Sequence, residues 1–430
     1  MARDPIMDAV ERLESGGTAR VTYAGADHFP LLRNAGGLSI ANLSLLVLFV
    51  GSYAVLLPRQ IELIDPVHKI ANFGYISALA SVLALFGSPI AGALSDRTRS
   101  RFGRRTPWIL AGGVLSLGLM AILGAIHQVL MVGIMWGCIQ VTANLSQAAL
   151  MGAVPERIAP HHRGIAGSLL GLGIPIGSLI GVQIASLYIN SLATGYIVLA
   201  ACLLLGMIVS VILSPDRSSL ELPITKQAPV DWIAGFGRAF GSRDFTWTFI
   251  NRAGMILCYS LTTQFQLYYL ADYIRLPLGV TPASAIAILT PFLTISMIAG
   301  SFLAGWASDR MGQRKPFIVG SALIMSLALV IPLVSPVLAS MYVFSLLFGA
   351  GFGCYMSVAI ALSTEVLPSA DDSGRDIGII GLANTATQMV APLVASILIL
   401  HAGGYGGLFL TAAVCAALSS LTILRVKGVR

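Results

Sequence analysis

The chain has 430 residues, and its composition excludes an ordinary soluble domain. Apolar residues make up 56% of it and charged residues 10%, whereas typical globular proteins have about 45–50% and about 25%. The formal net charge of +7 would suit an anionic partner. However, the basic residues gather between apolar blocks, where cytoplasmic loops of membrane proteins carry them. We therefore expect a lipid bilayer as the environment and no nucleic acid as a partner.

Twelve apolar blocks follow one another along the chain, each about long enough to cross ~30 Å of hydrocarbon as a helix. They lie near residues 38–57, 73–94, 107–127, 129–152, 164–189, 193–213, 246–271, 283–306, 316–334, 338–364, 377–400 and 404–424. The longest polar interruption comes after the sixth block and contains three prolines, which is typical of a linker. The sequence thus predicts an all-α integral membrane protein with twelve transmembrane helices. Its predicted parts are a tail (1–37), a six-helix bundle (38–213), a linker (214–245), a second six-helix bundle (246–424) and a tail (425–430).

The distribution of lysine and arginine predicts the orientation. Segments on the side of the amino terminus hold 22 of these residues, whereas the opposite loops hold three. Positive charges concentrate in cytoplasmic loops. We therefore expect both termini and the central linker in the cytoplasm, with the protein in the cell (inner) membrane.

The two halves of the chain repeat the same features at a constant spacing. Asp96 and Asp309 lie 213 residues apart, as do Pro155 and Pro368. Such a register predicts two pseudo-symmetric bundles, with a solute site between them near the middle of the bilayer.

A basic loop between the second and third blocks carries a family resemblance. Residues 92–108 read Gly-Ala-Leu-Ser-Asp-Arg-Thr-Arg-Ser-Arg-Phe-Gly-Arg-Arg-Thr-Pro-Trp, and a looser copy occupies 305–317. From Leu38 onward the chain resembles transporters of the major facilitator superfamily. The expanded loop, together with 367–369, 372–376 and 391–392, resembles sucrose–proton symporters, near the glycoside–pentoside–hexuronide cation symporters. This resemblance implies alternating-access transport of a sugar or glycoside, with a proton as the expected coupling ion.

Both loops also have a physical interpretation as a gate. Asp96 at a helix end can pair with nearby arginines, Gly92 permits close helix approach, and Gly103 permits a tight loop. The other interpretation is that the arginines only fix the topology. The predicted gating residues are Gly92, Asp96, Arg97, Gly103, Arg104, Arg105, Asp309, Arg310 and Arg314.

Polar side chains inside the apolar blocks are the candidates for solute binding, since polar groups in hydrocarbon are costly. Gln140, Asn144 and Gln147 share one helix face at i, i+4 and i+7. They could bind the hydroxyls of a polyol, or they could bond neighbouring helices for about a kilocalorie per mole. The candidates in the second half are Tyr259, Thr263, Gln266, Asn384 and Gln388. Arg252 either extends to water at the membrane surface or acts as a functional charge.

Glu365, three residues before Pro368, is the candidate for proton coupling. A carboxylate in a partly dry site can hold a proton near neutral pH, although a helix-end charge paired with a basic loop is the alternative. The resembled symporters have an aspartate three residues before the proline that ends the fourth helix. Here Gly152 occupies that position. Either Glu365 couples transport to protons, or the protein is uncoupled or exports another solute.

These observations predict a secondary active transporter that works as a monomer. An exporter of drug-like solutes and a nutrient sensor that does not transport are the alternatives. We expect no enzyme, catalytic residue, cofactor or metal site, because no cluster of acids, nucleophiles or metal ligands is visible. The five cysteines all lie in apolar blocks, where they are typical core residues.

Overall fold

A computed structural model of the chain describes residues 31–158, 162–216, 218–220, 243–365 and 373–426. Within these ranges the regular structure is helical, apart from one isolated β-bridge between Arg275 and Val337. The helices are α1 (Leu31–Gly51), α2 (Leu57–Ile64), α3 (Lys69–Arg97), α4 (Thr106–Leu123), α5 (Val129–Arg157), α6 (Arg163–Gly171), α7 (Gly173–Leu187), α8 (Leu192–Leu213), α9 (Arg243–Gln264), α10 (Gln266–Asp272), α11 (Pro282–Met311), α12 (Lys315–Val334), α13 (Leu338–Glu365), α14 (Ser373–His401) and α15 (Gly404–Ile423). Nine stretches of the described residues are long and apolar enough to cross a membrane.

Three crossings are each built from two consecutive helices. A π-helical turn (Ser52–Leu56) joins α1 to α2, and single residues join α6 to α7 and α9 to α10. The π turn ends two residues before Pro58, which lacks an N–H and would collide with the carbonyl four residues earlier in a regular α-helix. Counting each pair as one crossing gives twelve, so the predicted all-α membrane fold is confirmed.

The first helix already includes Leu31, the first described residue, which lies seven residues before the predicted apolar block. Its early polar residues have partners outside the helix. Arg33 Nε donates to the Leu213 carbonyl at 3.0 Å, and Asn34 donates to the Arg157 carbonyl at 3.4 Å. Helical structure therefore extends beyond the apolar block that the sequence shows.

The helices of the two halves pack in the same pattern, which confirms the predicted pseudo-symmetry. In the first half α5 packs against α3 and α4, and in the second half the corresponding helix α13 packs against α11 and α12. Likewise α1 packs on α8 as α9 packs on α15. The repeated sequence register therefore corresponds to a repeated helix arrangement.

The halves meet mainly along two helix pairs, α3 with α14 and α7 with α11. Ser396 donates to the Ile70 carbonyl at 2.9 Å across the first pair. Gln183 donates to the Ala287 carbonyl at 2.7 Å across the second pair. These bonds hold the two bundles together near one end of the molecule.

Large apolar side chains point outward around the bundle. Leu205, Ile295, Leu327 and Leu418 are all more than half exposed. Such a surface is stable in hydrocarbon and costly in water. This outer surface is therefore suited to lipid.

Candidate gates and transport site

We call the membrane face that carries residues 98–105 the arginine-rich face, and the other one the opposite face. At the arginine-rich face, the Glu156 carboxylate at the end of α5 binds two arginines of that loop. Its Oε1 lies 2.6 Å from Arg104 Nη2 and 2.7 Å from Arg105 Nη2. Arg105 is buried and also donates to Ser95 Oγ at 3.1 Å. One network of charge-assisted hydrogen bonds therefore connects the loop at 98–105 with α3 and α5.

Asp216, beyond the end of α8, binds the same loop. It accepts the backbone N–H of Arg105 at 2.9 Å and pairs with Arg157 at 3.5 Å. Gly103 turns the loop at φ +86°, and a Cβ there would lie 2.2 Å from Asp216 Cγ. The predicted tight turn is present, and only glycine fits both its backbone angle and its space.

Gly152 lies directly against the Arg105 guanidinium. A Cβ at Gly152 would lie 2.6 Å from Arg105 Cζ, well inside van der Waals contact. The guanidinium thus occupies the space that a side chain at position 152 would need, and its carboxylate partner is Glu156, one helical turn further on. This gives a physical account of the departure from the resembled symporters at this position.

The second loop forms a smaller, more exposed pair. Arg314 Nη1 lies 2.5 Å from Asp309 Oδ1 and donates to Ser308 Oγ at 2.9 Å. Arg310 lies over the Trp306 ring at 5.4 Å. The surroundings of Gly92 and the side chains of Asp96 and Arg97 lie outside what the structure describes.

Sequence reasoning missed Glu156, Arg157 and Asp216 as parts of this cluster. A signal existed for the first two, because they directly follow Pro155 at the end of the fourth apolar block. Their pairing with residues more than fifty positions away depends on the packing of α5 beside the loop, which periodicity does not encode.

At the opposite face, an ion-pair network joins the two halves. Lys69 Nζ lies 2.9 Å from Glu62 Oε1 in the first half and 2.9 Å from Asp272 Oδ1 in the second. Tyr405 donates to the other Asp272 oxygen at 2.8 Å. Lys69 is only 14% exposed, so water screens this network weakly. We call Glu62, Lys69 and Asp272 the opposite-face latch.

Aromatic rings close the opposite face beneath the latch. Phe73 packs edge-on against Phe265 and Tyr268, with ring centroids 5.1 and 5.8 Å apart. Tyr268 also donates to the Pro58 carbonyl at 2.9 Å, and Lys69 lies over its ring. These three rings are buried between the two halves at this face. Sequence reasoning missed both layers; the available signal was that Lys69 and Asp272 are charged residues beside the ends of apolar blocks.

The first-half solute candidates lie on one face of α5. Trp136, one turn before Gln140 on that face, is fully buried and stacks on Tyr53 of the first crossing at 6.2 Å. Gln140, Asn144 and Gln147 are each partly buried. None of the three amides has a hydrogen-bond partner among the described residues, and neither does Trp136 Nε1. Three amides and one indole N–H therefore offer unused bonding capacity along this face.

The second-half candidates have different surroundings. Tyr259 stacks on Phe352, with ring centroids 3.9 Å apart, whereas Thr263 only donates to the Tyr259 carbonyl of its own helix. Gln266 is partly buried, and Gln388 is exposed. The structure therefore does not bring Thr263 and Gln388 into a common bonded cluster with Tyr259.

Asn384 has a charged partner. Its Oδ1 accepts a hydrogen bond from Arg252 Nε at 2.8 Å, and Arg252 is 8% exposed. The Arg252 side chain is thus largely covered by neighbouring groups. Glu365 ends α13, but its side chain lies outside the described residues. The described residues contain no group of three side chains suited to a metal ion.

Solved transporter structures resemble this fold. A peptide transporter POT in complex with sulfate has a TM-score of 0.69 at 14% identity, over 92% of this chain and 94% of that one. A POT family transporter in complex with 5-aminolevulinic acid also has a TM-score of 0.69, at 13% identity, over 91% and 95%. At such identities the likeness concerns the fold alone.

Sequence comparison is more specific about the family. A curated relative, an uncharacterized symporter from Synechocystis sp., is 49% identical over 39 residues, which are 9% of this chain and only 7% of that protein. The sequence model of the Major Facilitator Superfamily matches residues 39–293 and 253–429. The chain therefore belongs to the major facilitator superfamily, and it is a membrane transporter and not an enzyme.

Proposed function

We propose that the protein is a secondary active transporter of a small polar solute, a sugar or glycoside, and that it works as a proton-coupled, monomeric alternating-access carrier. The observation that carries this proposal is the unused bonding capacity on one face of α5 in a molecule whose opposite face is latched shut. A polar face without partners is costly in a membrane protein. A polyhydroxyl solute would supply the missing partners.

We infer that the arginine-rich face is cytoplasmic, which the excess of lysine and arginine on that side supports. The opposite-face latch and its aromatic layer then close the extracellular side. Opening to the outside requires the Lys69–Asp272 pair and the Tyr268–Pro58 bond to break. The network around Glu156 organises the cytoplasmic side of the first half, where it can hold α3, α5 and the loop as one body.

The amide row is the proposed sugar site. An amide offers two donors and one acceptor, so Gln140, Asn144 and Gln147 could bind several hydroxyls without a charge. The Tyr259–Phe352 stack offers a flat apolar surface for the C–H face of a sugar ring. The same stack also suits apolar solutes, and it is the observation that favours the alternative of a drug exporter.

A leucine scan tests the amide row. Replacing Gln140, Asn144 or Gln147 with leucine should weaken binding of labelled glycoside by roughly 1–3 kcal/mol, because the solute hydroxyls lose their partners. Purified variants in detergent, measured by equilibrium binding, provide the readout. Cys138→Ala is the matched control, since this residue is exposed on the same helix. Unchanged affinity in all three folded leucine variants would assign the amides to helix packing.

We propose Glu365 as the proton carrier. It lies at the end of α13, whereas at Gly152, the usual acidic position in the first half, the Arg105 guanidinium occupies the space that a side chain would need. Glu365→Gln mimics the protonated form permanently. Accumulation driven by a pH gradient should then vanish in proteoliposomes, whereas solute exchange, which needs no proton release, should persist. Surviving accumulation would rule Glu365 out as the carrier. Loss of both activities would make it a structural or solute-binding group. A sensor that binds solute without moving it would show neither activity even in the unaltered protein.

A further inference from the structure

One backbone carbonyl inside α11 cannot receive its usual helical hydrogen bond. In a regular α-helix the carbonyl of Ala287 would accept the N–H of residue 291, four positions further on. That residue is Pro291, which lies inside α11 and has no N–H. A backbone carbonyl without a partner is costly within a membrane, because hydrocarbon offers it no donor. The Ala287 carbonyl therefore needs a donor from elsewhere in the molecule.

A side chain of the other half supplies this donor. Gln183 of α7 donates from its Nε2 to the Ala287 carbonyl at 2.7 Å. Gln183 is four residues before the end of α7, and Ala287 is five residues after the start of α11. At 1.5 Å per residue, the bond lies within about 8 Å of the opposite-face ends of both helices. It therefore joins the two halves on the side that the latch closes.

Neighbouring contacts show that α7 and α11 lie side by side in a constant register. Ser186 donates to the Ala283 carbonyl at 3.1 Å, on one side of the Gln183 bond. Thr294 donates to the Pro175 carbonyl at 3.5 Å, on the other side. These two contacts are eleven residues apart along each helix, with the helices antiparallel, which is about 16 Å. Separation of α7 from α11 at the opposite face therefore has to break the Gln183 bond.

The bond across the other helix pair has a different kind of acceptor. Ser396 of α14 donates to the Ile70 carbonyl of α3 at 2.9 Å. Within α3 the same carbonyl also accepts the N–H of Gly74, as in any regular α-helix. The Ile70 carbonyl thus keeps a partner when the halves part, whereas the Ala287 carbonyl loses the donor that replaces the missing N–H. Leaving a buried acceptor without a partner costs more than a typical hydrogen bond contributes. The Gln183 bond should therefore stabilise the closed opposite face more than the Ser396 bond does.

From these contacts we infer that Gln183 is a positioning residue of the transport cycle, which holds the opposite face closed by binding the backbone acceptor that Pro291 leaves open. When this face opens, α7 and α11 part, and water that enters between them hydrates the Ala287 carbonyl. Gln183 thus acts on the balance between two conformations of the protein. The inference rests on the alternating-access part of the proposed function, and it is independent of the solute and of the coupling ion.

The distance between two spin labels measures this balance. In a cysteine-free background, Leu187→Cys and Leu278→Cys place the labels at exposed positions beside the opposite-face ends of α7 and α11. The reference protein also carries Asp272→Asn, which weakens the latch so that both conformations are populated. Gln183→Met keeps the length of the side chain and removes its donor, so the ratio of open to closed molecules should rise roughly fivefold or more. Ser396→Ala is the matched control, and it should change the ratio by about twofold or less.

A Pro291→Ala background assigns the effect to the carbonyl. Alanine at this position restores an N–H that can pair with the Ala287 carbonyl within α11, so the carbonyl keeps a partner when the halves part. In this background Gln183→Met should shift the ratio by about twofold or less, because the two changes act on one interaction. Equal shifts in both backgrounds would show that Gln183 only fills space, and they would overturn the inference.

A second outcome also contradicts the inference and does not need the proline variant. If Gln183→Met leaves the ratio unchanged, or changes it no more than Ser396→Ala does, the Gln183 bond does not hold the opposite face closed. These comparisons decide the matter even if the Pro291→Ala protein does not fold. The distance measurement uses no solute and no gradient. A failure to accumulate glycoside in proteoliposomes would therefore contradict the proposed function and leave the role of Gln183 to be decided by the distances.

Discussion

At the scale of single residues, the glycine at position 152 matters as much as the charged side chains of Arg105 and Glu156 beside it. A Cβ at Gly152 would lie 2.6 Å from Arg105 Cζ, so the Arg105 head group would have to shift from its place beside Glu156. The sequence shows the glycine, and the resemblance shows that it departs from the symporters. Neither shows why, because the explanation depends on a loop residue 47 positions earlier in the chain. Residue roles that depend on such contacts could not be predicted from spacing.

Substitution of Gly152 tests this contact. Gly152→Ala should displace Arg105 from Glu156 and destabilise the protein by about 1–3 kcal/mol, as overpacking of a tight site does. The midpoint of thermal unfolding in detergent should fall, and transport should slow. Gly167→Ala, at an exposed helical glycine with open space around it, is the matched control and should leave the midpoint unchanged. Equal midpoints for the two variants would contradict the contact.

At the scale of helices, the sequence predicted the elements well and their connections across the halves poorly. The apolar blocks predicted the crossings because burial in lipid demands continuous apolar helices. Lys69 and Asp272 lie 203 residues apart, and their pairing arises only when α3 and α10 meet at the opposite face. The latch therefore became visible only with the fold.

Breaking the latch should release the opposite face. In a cysteine-free background with Gln140→Cys, Asp272→Asn should raise the rate at which an impermeant thiol reagent labels the cysteine from outside intact cells. Lys69→Met should do the same, and the double variant should add little, because both remove one interaction worth about 0.5–3 kcal/mol. Arg59→Gln is the control, since Arg59 pairs with Glu62 on the same helix and does not bridge the halves. Labelling rates that match the control would show that the latch does not hold this face shut.

At the scale of the whole molecule, the repeat of about 213 residues predicted two equivalent bundles, and the helix packing confirms them. The predicted boundaries at 38–213 and 246–424 stay predictions, since helix ends and membrane borders differ and much of the linker lies outside the described residues. Of the candidate site, the amide row could be found from periodicity because it lies on one helix. Arg252 could be seen in the sequence, but its partner Asn384 is 132 residues away.

The most direct test of the account is solute accumulation against a gradient. Purified protein in proteoliposomes, given an inward proton gradient and labelled phenyl β-D-glucuronide or phenyl β-D-glucoside, should concentrate at least one of them inside, and a protonophore should abolish the excess. Protein-free liposomes set the background. If both solutes only equilibrate, or if accumulation is unaffected by the protonophore, the protein is not a proton-coupled glycoside transporter.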